Sequence, residues 1–391
     1  MLFLARTRCL LRTPARPRRC WPSYSTASKA SDPLRILFCG SDEFSCVSLR
    51  ALHEEQKRNA SLIRSIDVVV RPSKPTGRGY KVLREVPLRS LADQLKLPIH
   101  VRDTFTGWDM PRPGGDPINL IIAVSFGLFV PPRLTSASKY GGLNVHPSLL
   151  PDLRGPAPLH HALLAEDTHT GITIQTLSPH GFDEGTILLQ TPQPGTRIPP
   201  DYTLRQLHDL LARDGAAMLT DALRRGLHVA PPPQPQPSTN PKPTPQPPPP
   251  PADPTATTAT PHLRHAPKIT PSDRQVRWAS ASAHAIALRA RVLGPLWTRL
   301  RRGGKGEGGE GEGKGEGEGE GEEKGEGEEK GEGEEKGGRE GHAVRLRYFV
   351  QGKDKDAAVV VRMPDGSWLR IGRIKVEGMT SKPARRVLET V

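Results

Sequence analysis

Apolar positions run in short unbroken stretches through the first half of the chain and give way to proline, glycine and charge in the second. Leu34–Cys39 carries one polar residue, Arg35, and reads as a strand buried on both faces. The turn Gly40-Ser41-Asp42 follows, then helical spacing through about Glu55. Ser65–Val70 and Leu97–Val101 read as further strands, with a helix over Val86–Leu95 between them. Ile118–Val124 is apolar throughout, as a central parallel strand should be. Leu159–Ala165 reads as a helix, and Gly171–Leu177 and Ile187–Gln190 as strands. Thr203–Arg225 is amphipathic, with Leu204, Leu207, Leu210, Leu211 and Met218 on its apolar side. Strands alternating with helices predict an α/β, Rossmann-like domain over residues 31–229, built on an open, mostly parallel sheet. No Gly-x-Gly-x-x-Gly follows the first strand, so a dinucleotide site is not supported.

Beyond that domain the pattern changes. Residues 230–261 are rich in Pro, Gln, Ser and Thr and predict an extended, semi-rigid linker. Residues 262–391 predict a helix over Ala279–Leu293 and strands over Trp297–Leu300, His342–Gln351, Ala357–Met363 and Ser367–Val376. Pro364-Asp365-Gly366 supplies a turn, and the whole suggests a small β-rich, OB-fold-like module. The Gly/Glu/Lys tract at 303–341 has no large apolar side chain, and is expected to be a disordered insert.

Charge sharpens this division. The formal net charge is +14, but residues 1–30 contribute +7 without one acid, through Arg6, Arg8, Arg12, Arg16, Arg18, Arg19 and Lys29. That composition is expected of a mitochondrial transit peptide, and points to the matrix. The acidic insert contributes −9, leaving the rest of the C-terminal module strongly basic and suited to a polyanion. Cys9, Cys20, Cys39 and Cys46 form no Cys-x-x-Cys pair, so neither a disulfide framework nor a zinc site is expected. No apolar run reaches the ~18 residues that span a bilayer, so no membrane partner is expected.

The candidate chemistry lies between Gly142 and Gly185. Asn144 and His146 are two apart, so at the end of an extended segment both side chains leave one face. Pro147 and Pro151 then enforce an irregular loop. With Asp183, the set comprises an amide to donate to an oxyanion, an imidazole to carry or move a proton, and a carboxylate to orient it. Such a trio suits acyl transfer. Ser125–Pro131 forms a loop at the carboxyl end of a central strand, where ligands of open α/β sheets sit.

Asn144-Val145-His146, Ser148-Leu149-Leu150-Pro151 and Asp183-Glu184-Gly185 together resemble the folate-dependent formyltransferase family. Pro75-Thr76-Gly77-Arg78-Gly79, Leu153-Arg154-Gly155-Pro156-Ala157-Pro158 and Pro267-Lys268-Ile269-Thr270 resemble its tRNA-acting branch. The resemblance covers residues 34–229 well and 262–302 with 342–380 loosely; Arg71-Pro72-Ser73-Lys74 departs from the family's usual Gln-Pro-Asp-Arg. It implies 10-formyltetrahydrofolate as donor and the α-amino group of initiator methionyl-tRNA as acceptor, with Asn144, His146 and Asp183 catalytic and no metal. It further implies a folate pocket from Phe126, Gly127, Leu128, Ser148, Leu149, Leu150 and Pro151. The basic residues expected to take tRNA are Lys74, Arg78, Lys81 and Arg84 in the loop, with Arg289, Arg291, Arg345, Arg347 and Arg373 in the C-terminal module. A monomer is expected. Two other readings stay open: a formyltransferase acting on a sugar nucleotide or other small amine, and a catalytically inactive RNA-binding protein.

Overall fold

The computed structural model describes residues 31–76, 82–229, 263–278, 280–298, 329–336, 343–351, 358–371, 373–374 and 382–383. The expected leader at 1–30, the linker at 230–261 and most of the acidic insert lie outside the described residues.

Strands β1 (Leu34–Gly40), β2 (Ile63–Val70), β5 (Ile99–Val101), β6 (Leu120–Val124) and β7 (Gly142–His146) run parallel in one sheet. The basic loop after β2 contains a short hairpin that its proline and glycine content did not suggest, β3 (Lys74–Thr76) with β4 (Val82–Arg84). A two-residue pair, β8 (His169–Thr170) with β11 (Thr196–Arg197), flanks β9 (Thr173–Thr176) and β10 (Ile187–Gln190). β9 is antiparallel to β7 and to β10, giving the order β10-β9-β7-β6-β1-β2-β5. This is the mostly parallel α/β sheet that the alternating pattern predicts.

Period two explains the two-sided burial. From β1, Leu34, Ile36 and Phe38 enter a core shared with α1 (Glu43–Arg58) and α5 (Leu204–Arg224), whereas Leu37 and Cys39 enter a second layer with Phe105 and Phe126. Helix α1 starts because the Asp42 side chain accepts from the Ser45 amide at 3.0 Å. Helix α5 starts on a capping box between Thr203 and Gln206, and buries Leu207, Leu211, Leu219 and Leu223 completely. Each such leucine contributes roughly 1.5–3 kcal/mol by leaving water. Shorter helices α2 (Pro87–Gln94), α3 (Pro132–Ala137) and α4 (Pro158–Leu164) complete the layers.

After the linker, helix α6 (Ala283–Leu293) joins two cores. Leu288, Val292 and Leu293 pack into the main one, while Ile286 meets Val276, Trp278, Val361 and Met363. Strands β13 (Ala343–Gln351), β14 (Ala358–Arg362) and β15 (Trp368–Ile371) form an antiparallel meander, with β16 (Arg373–Ile374) and β17 (Lys382–Pro383) as a separate pair. Of the strand expected over Trp297–Leu300, Trp297 bridges to Gln275, and residues 299–300 lie outside the described residues.

The acidic insert is not without structure. Glu329–Lys336 forms β12, antiparallel to β13, with Glu332 in register with Arg347 and Glu334 with Arg345. The free edge of β13 explains it: ladder pairing needs no apolar side chain, and the register sets acidic positions opposite basic ones.

Candidate active site

Strands are added on one side of β1 up to β5 and on its other side from β6, and the crevice outside the carboxyl ends of the parallel pair β1 and β6 is the standing ligand position of such sheets. A cleft of about 760 Å³ opens there, within the usual range for small-molecule sites. Asp42 borders it from the end of β1, and Ser125 to Val130 from the end of β6. Asn144 and His146 enter from β7, and Phe182, Asp183 and Glu184 from the turn between β9 and β10. The three residues expected to be catalytic therefore meet.

Asp183 is their hub. Its Oδ1 accepts from Asn144 Nδ2 at 3.2 Å and from Gln175 Nε2 at 3.3 Å, and lies 3.2 Å from His146 Nδ1. Its Oδ2 accepts from the Gly155 amide at 3.0 Å. Burial pushes the Asp183 carboxyl up, but the charge and hydrogen bond of His146, the Gly155 amide and the charge of Arg154 outweigh it, and the carboxyl titrates below its ordinary value. The turn that carries it is tight: Asp183 itself sits at φ 59, a conformation that Asp tolerates better than most residues. Gly185 closes the turn where no side chain fits, since a Cβ there would lie 1.7 Å from the Thr176 carbonyl oxygen.

His146 is almost fully buried, and its Nε2 is 3.1 Å from the Leu153 carbonyl oxygen. Both ring nitrogens thus face acceptors, an arrangement that only a ring protonated on both can satisfy. A ring carrying both protons supplies charge here, with Nε2 turned onto the Leu153 carbonyl and Nδ1 onto Asp183. Asn144, which lines the cleft, gives one N–H to Asp183 and keeps a second.

Phe126, Gly127 and Leu128 line the cleft as expected, but Ser148, Leu149, Leu150 and Pro151 do not. Ser148 donates to the Asp152 carbonyl at 2.8 Å, the Leu150 amide donates to Thr173 Oγ1, and Gln190 Nε2 donates to the Leu150 carbonyl oxygen at 2.7 Å. They are the packed support beneath Leu153, Arg154 and Gly155, whose backbone does reach the site. The sequence reading passed over Asp42, Arg154, Gln175 and His265 as cleft residues. Burial pushes the Arg154 guanidinium down, with Glu184 and Asp183 partly opposing. Burial likewise raises the Asp42 carboxyl, against the Ser45 amide. Gln175, a long amide side chain in a strand of Thr and Ile, is fully buried there.

Two arginines expected to meet tRNA are occupied within the protein. Arg289 donates to the carbonyls of Asp273 and, at 2.9 Å, Gln275. Arg291 pairs with Asp201 of the first domain. Their charge was visible in the sequence, whereas the approach of α6 to residues 273–275 and to Asp201, which gives them partners, was not. Lys74 and Arg84 lie on β3 and β4, Arg345 and Arg347 on β13 and Arg373 on β16. Arg78 and Lys81 lie outside the described residues.

Residues 34–223 match the Formyl transferase family model. The chain is 35% identical over 306 residues to the mitochondrial methionyl-tRNA formyltransferase of Saccharomyces cerevisiae, covering 70% of this chain and 71% of that protein. It is 38% identical over 193 residues to the mitochondrial methionyl-tRNA formyltransferase of Homo sapiens, covering 49% of this chain and 45% of that one. It is 35% identical over 199 residues to the methionyl-tRNA formyltransferase of Ehrlichia chaffeensis, covering 51% and 63%. The match thus spans less than two thirds of the human and Ehrlichia proteins.

Proposed function

We propose, from the premise that the chain belongs to the methionyl-tRNA formyltransferase family, that its cleft moves a formyl group from 10-formyltetrahydrofolate to the α-amino group of methionine on initiator tRNA. One observation carries this reading: a single ionised carboxylate, Asp183, gathers Asn144, His146 and the Gly155 amide at the mouth of β7.

The residues divide the work as follows. The formyl donor is a co-substrate, and the cleft suits it in size, with apolar walls at Phe126, Leu128 and Leu177. Attack by the amine on the formyl carbon drives the carbonyl electron pair onto oxygen. The unshared N–H of Asn144 donates to that oxyanion, and the His146 ring adds positive charge from beneath it. Neither group moves or reorganises during the reaction, because Asp183 fixes both. The tRNA is taken by the basic loop with Lys74, Arg78, Lys81 and Arg84, and by Arg345, Arg347 and Arg373 of the C-terminal module. The basic leader at 1–30 directs the protein to the mitochondrial matrix.

The test is formyl transfer from 10-formyltetrahydrofolate to charged initiator tRNA, with free methionine and uncharged tRNA as controls. Asn144→Ala removes one oxyanion donor and should lower kcat by roughly 10²–10³-fold. Transfer to free methionine at a matching rate, or an Asn144→Ala enzyme of normal kcat, would contradict the proposal.

A further inference from the structure

The attacking amine arrives at neutral pH largely as an ammonium, since an α-amino group ordinarily titrates near 7.7–8.0. Some group must take its proton, and His146 is not free to do so. Among the described residues, the titratable groups lining the cleft are Asp42, His146, Arg154, Asp183, Glu184 and His265. Asp183 is already engaged on both oxygens and titrates low. Asp42 caps helix α1. Arg154 has no proton-accepting capacity, and the Glu184 carboxylate lies folded against Gly181 of its own turn. His265 is an exposed imidazole on the cleft wall, a side-chain type that can accept a proton and hand it to water.

His265 does not belong to the catalytic domain by sequence. It follows the proline linker, and its place in the cleft is built. Arg264 grips Asp152 with Nε and Nη2, at 3.2 and 2.6 Å from Oδ2, and Asp167 with Nη1 and Nη2, each at 2.9 Å. The Leu153 amide donates to the Arg264 carbonyl at 2.8 Å, the Ala266 amide to Arg154 at 2.6 Å, and the Ala157 amide to Ala266 at 3.2 Å. His161 Nε2 holds Pro267 through its carbonyl at 3.0 Å. The approach is so close that a Cβ on Gly155 would meet the Ala266 carbonyl oxygen at 2.5 Å and His265 Nε2 at 3.2 Å. Gly155 is also the residue whose amide binds Asp183. One glycine therefore separates the His265 ring from the catalytic carboxylate.

We propose that His265 is the group that accepts the proton of the attacking methionyl ammonium, an assignment that rests on the formyl-transfer reading above. Nε2 takes one proton from the ammonium and leaves a neutral amine with a free electron pair. That pair forms the N–C bond to the formyl carbon while the carbonyl pair moves to the oxygen held by Asn144. On collapse the oxygen pair reforms the carbonyl and the bond from carbon to folate N10 breaks. N10 keeps the bonding pair and receives the second proton of the amine. The products are formamide, tetrahydrofolate and one proton on His265, which its exposed ring passes to water.

The experiment is the single-turnover rate of formylation by the full chain, from pH 6 to 9, for His265→Ala and His265→Asn. At pH 7 both variants should be slower by about 10²-fold, the usual contribution of a positioned base. Their deficit should shrink above pH 8, where the amine sheds its proton unaided. Added imidazole should restore part of the rate to His265→Ala, and KM for the folate donor should stay unchanged. A loss equal at every pH and indifferent to imidazole would mean that His265 merely supports the cleft, and would overturn the assignment. So would variants with wild-type rates. Failure of the underlying reading looks different: the unaltered chain would then formylate no methionyl-tRNA at any pH.

Discussion

Asp183 must stay ionised in a site almost closed to water, and its neighbours decide the outcome. Burial works against the charge, but His146, the Gly155 amide and Arg154 prevail, so the folded carboxyl titrates below the unfolded one. A group shifted in that direction adds stability that is fully present above its unfolded value of about 3.9, and loses it as pH falls through the lower folded value. Asp183→Asn keeps the shape and removes the charge. At pH 7 the variant should melt below the wild type and lose at least about 10²-fold in kcat, because His146 and Asn144 are no longer held by a common anion. The difference in melting temperature should narrow as the pH is lowered from 5 towards 3. Calorimetry across that range checks it, and a difference independent of pH would show that Asp183 acts by shape alone.

A turn of a few residues decides where that carboxylate stands. Between β9 and β10 the Gly185 amide donates to Gln175 Oε1 at 3.1 Å and the Thr186 amide to Thr176 Oγ1 at 2.8 Å, drawing the turn onto the strand. Gly185→Ala would force the Thr176 carbonyl aside. Overpacking of this kind costs about 1–3 kcal/mol, and displacing Asp183 by about 1 Å can cost on the order of 10²-fold in rate. Melting temperature and kcat should fall together, and a variant with normal kcat would separate the turn from the chemistry. The sequence revealed this region well, because period two aligned Asn144 with His146 and the spacing of Asp183-Glu184-Gly185 marked a turn. It could not reveal that Ser148 to Pro151 support the cleft instead of lining it, since a motif beside a site reads alike in either role. Nor could it place His265, whose position depends on Arg264 finding Asp152 and Asp167 across the linker. The edge strand β12 escaped for a related reason: its stabilising partner is the backbone of β13, and hydrophobic periodicity is silent about edges.

At the scale of the whole molecule, charge is sorted so that one strongly acidic tract sits inside the module that should bind a polyanion. Residues 303–341 hold fifteen Glu against six Lys or Arg, and the part of the tract in β12 runs beside Arg345 and Arg347. On the function proposed above, tRNA phosphates should compete with this tract for the same basic strand. Replacing residues 303–341 by a short Gly/Ser turn removes the intramolecular competitor, and loop closure itself changes by only ~1 kcal/mol. At about 50 mM salt the Debye length exceeds 10 Å, and the altered protein should show a several-fold lower KM for charged tRNA. Near 0.5 M salt, screening should bring the two proteins together. The cleft is untouched by the change, so kcat and the KM for the folate donor should not move. Steady-state kinetics for both substrates at several salt concentrations make the comparison. A KM for tRNA that rises on replacement would mean that β12 props the basic strand in place, and that its acidic residues are spectators to binding.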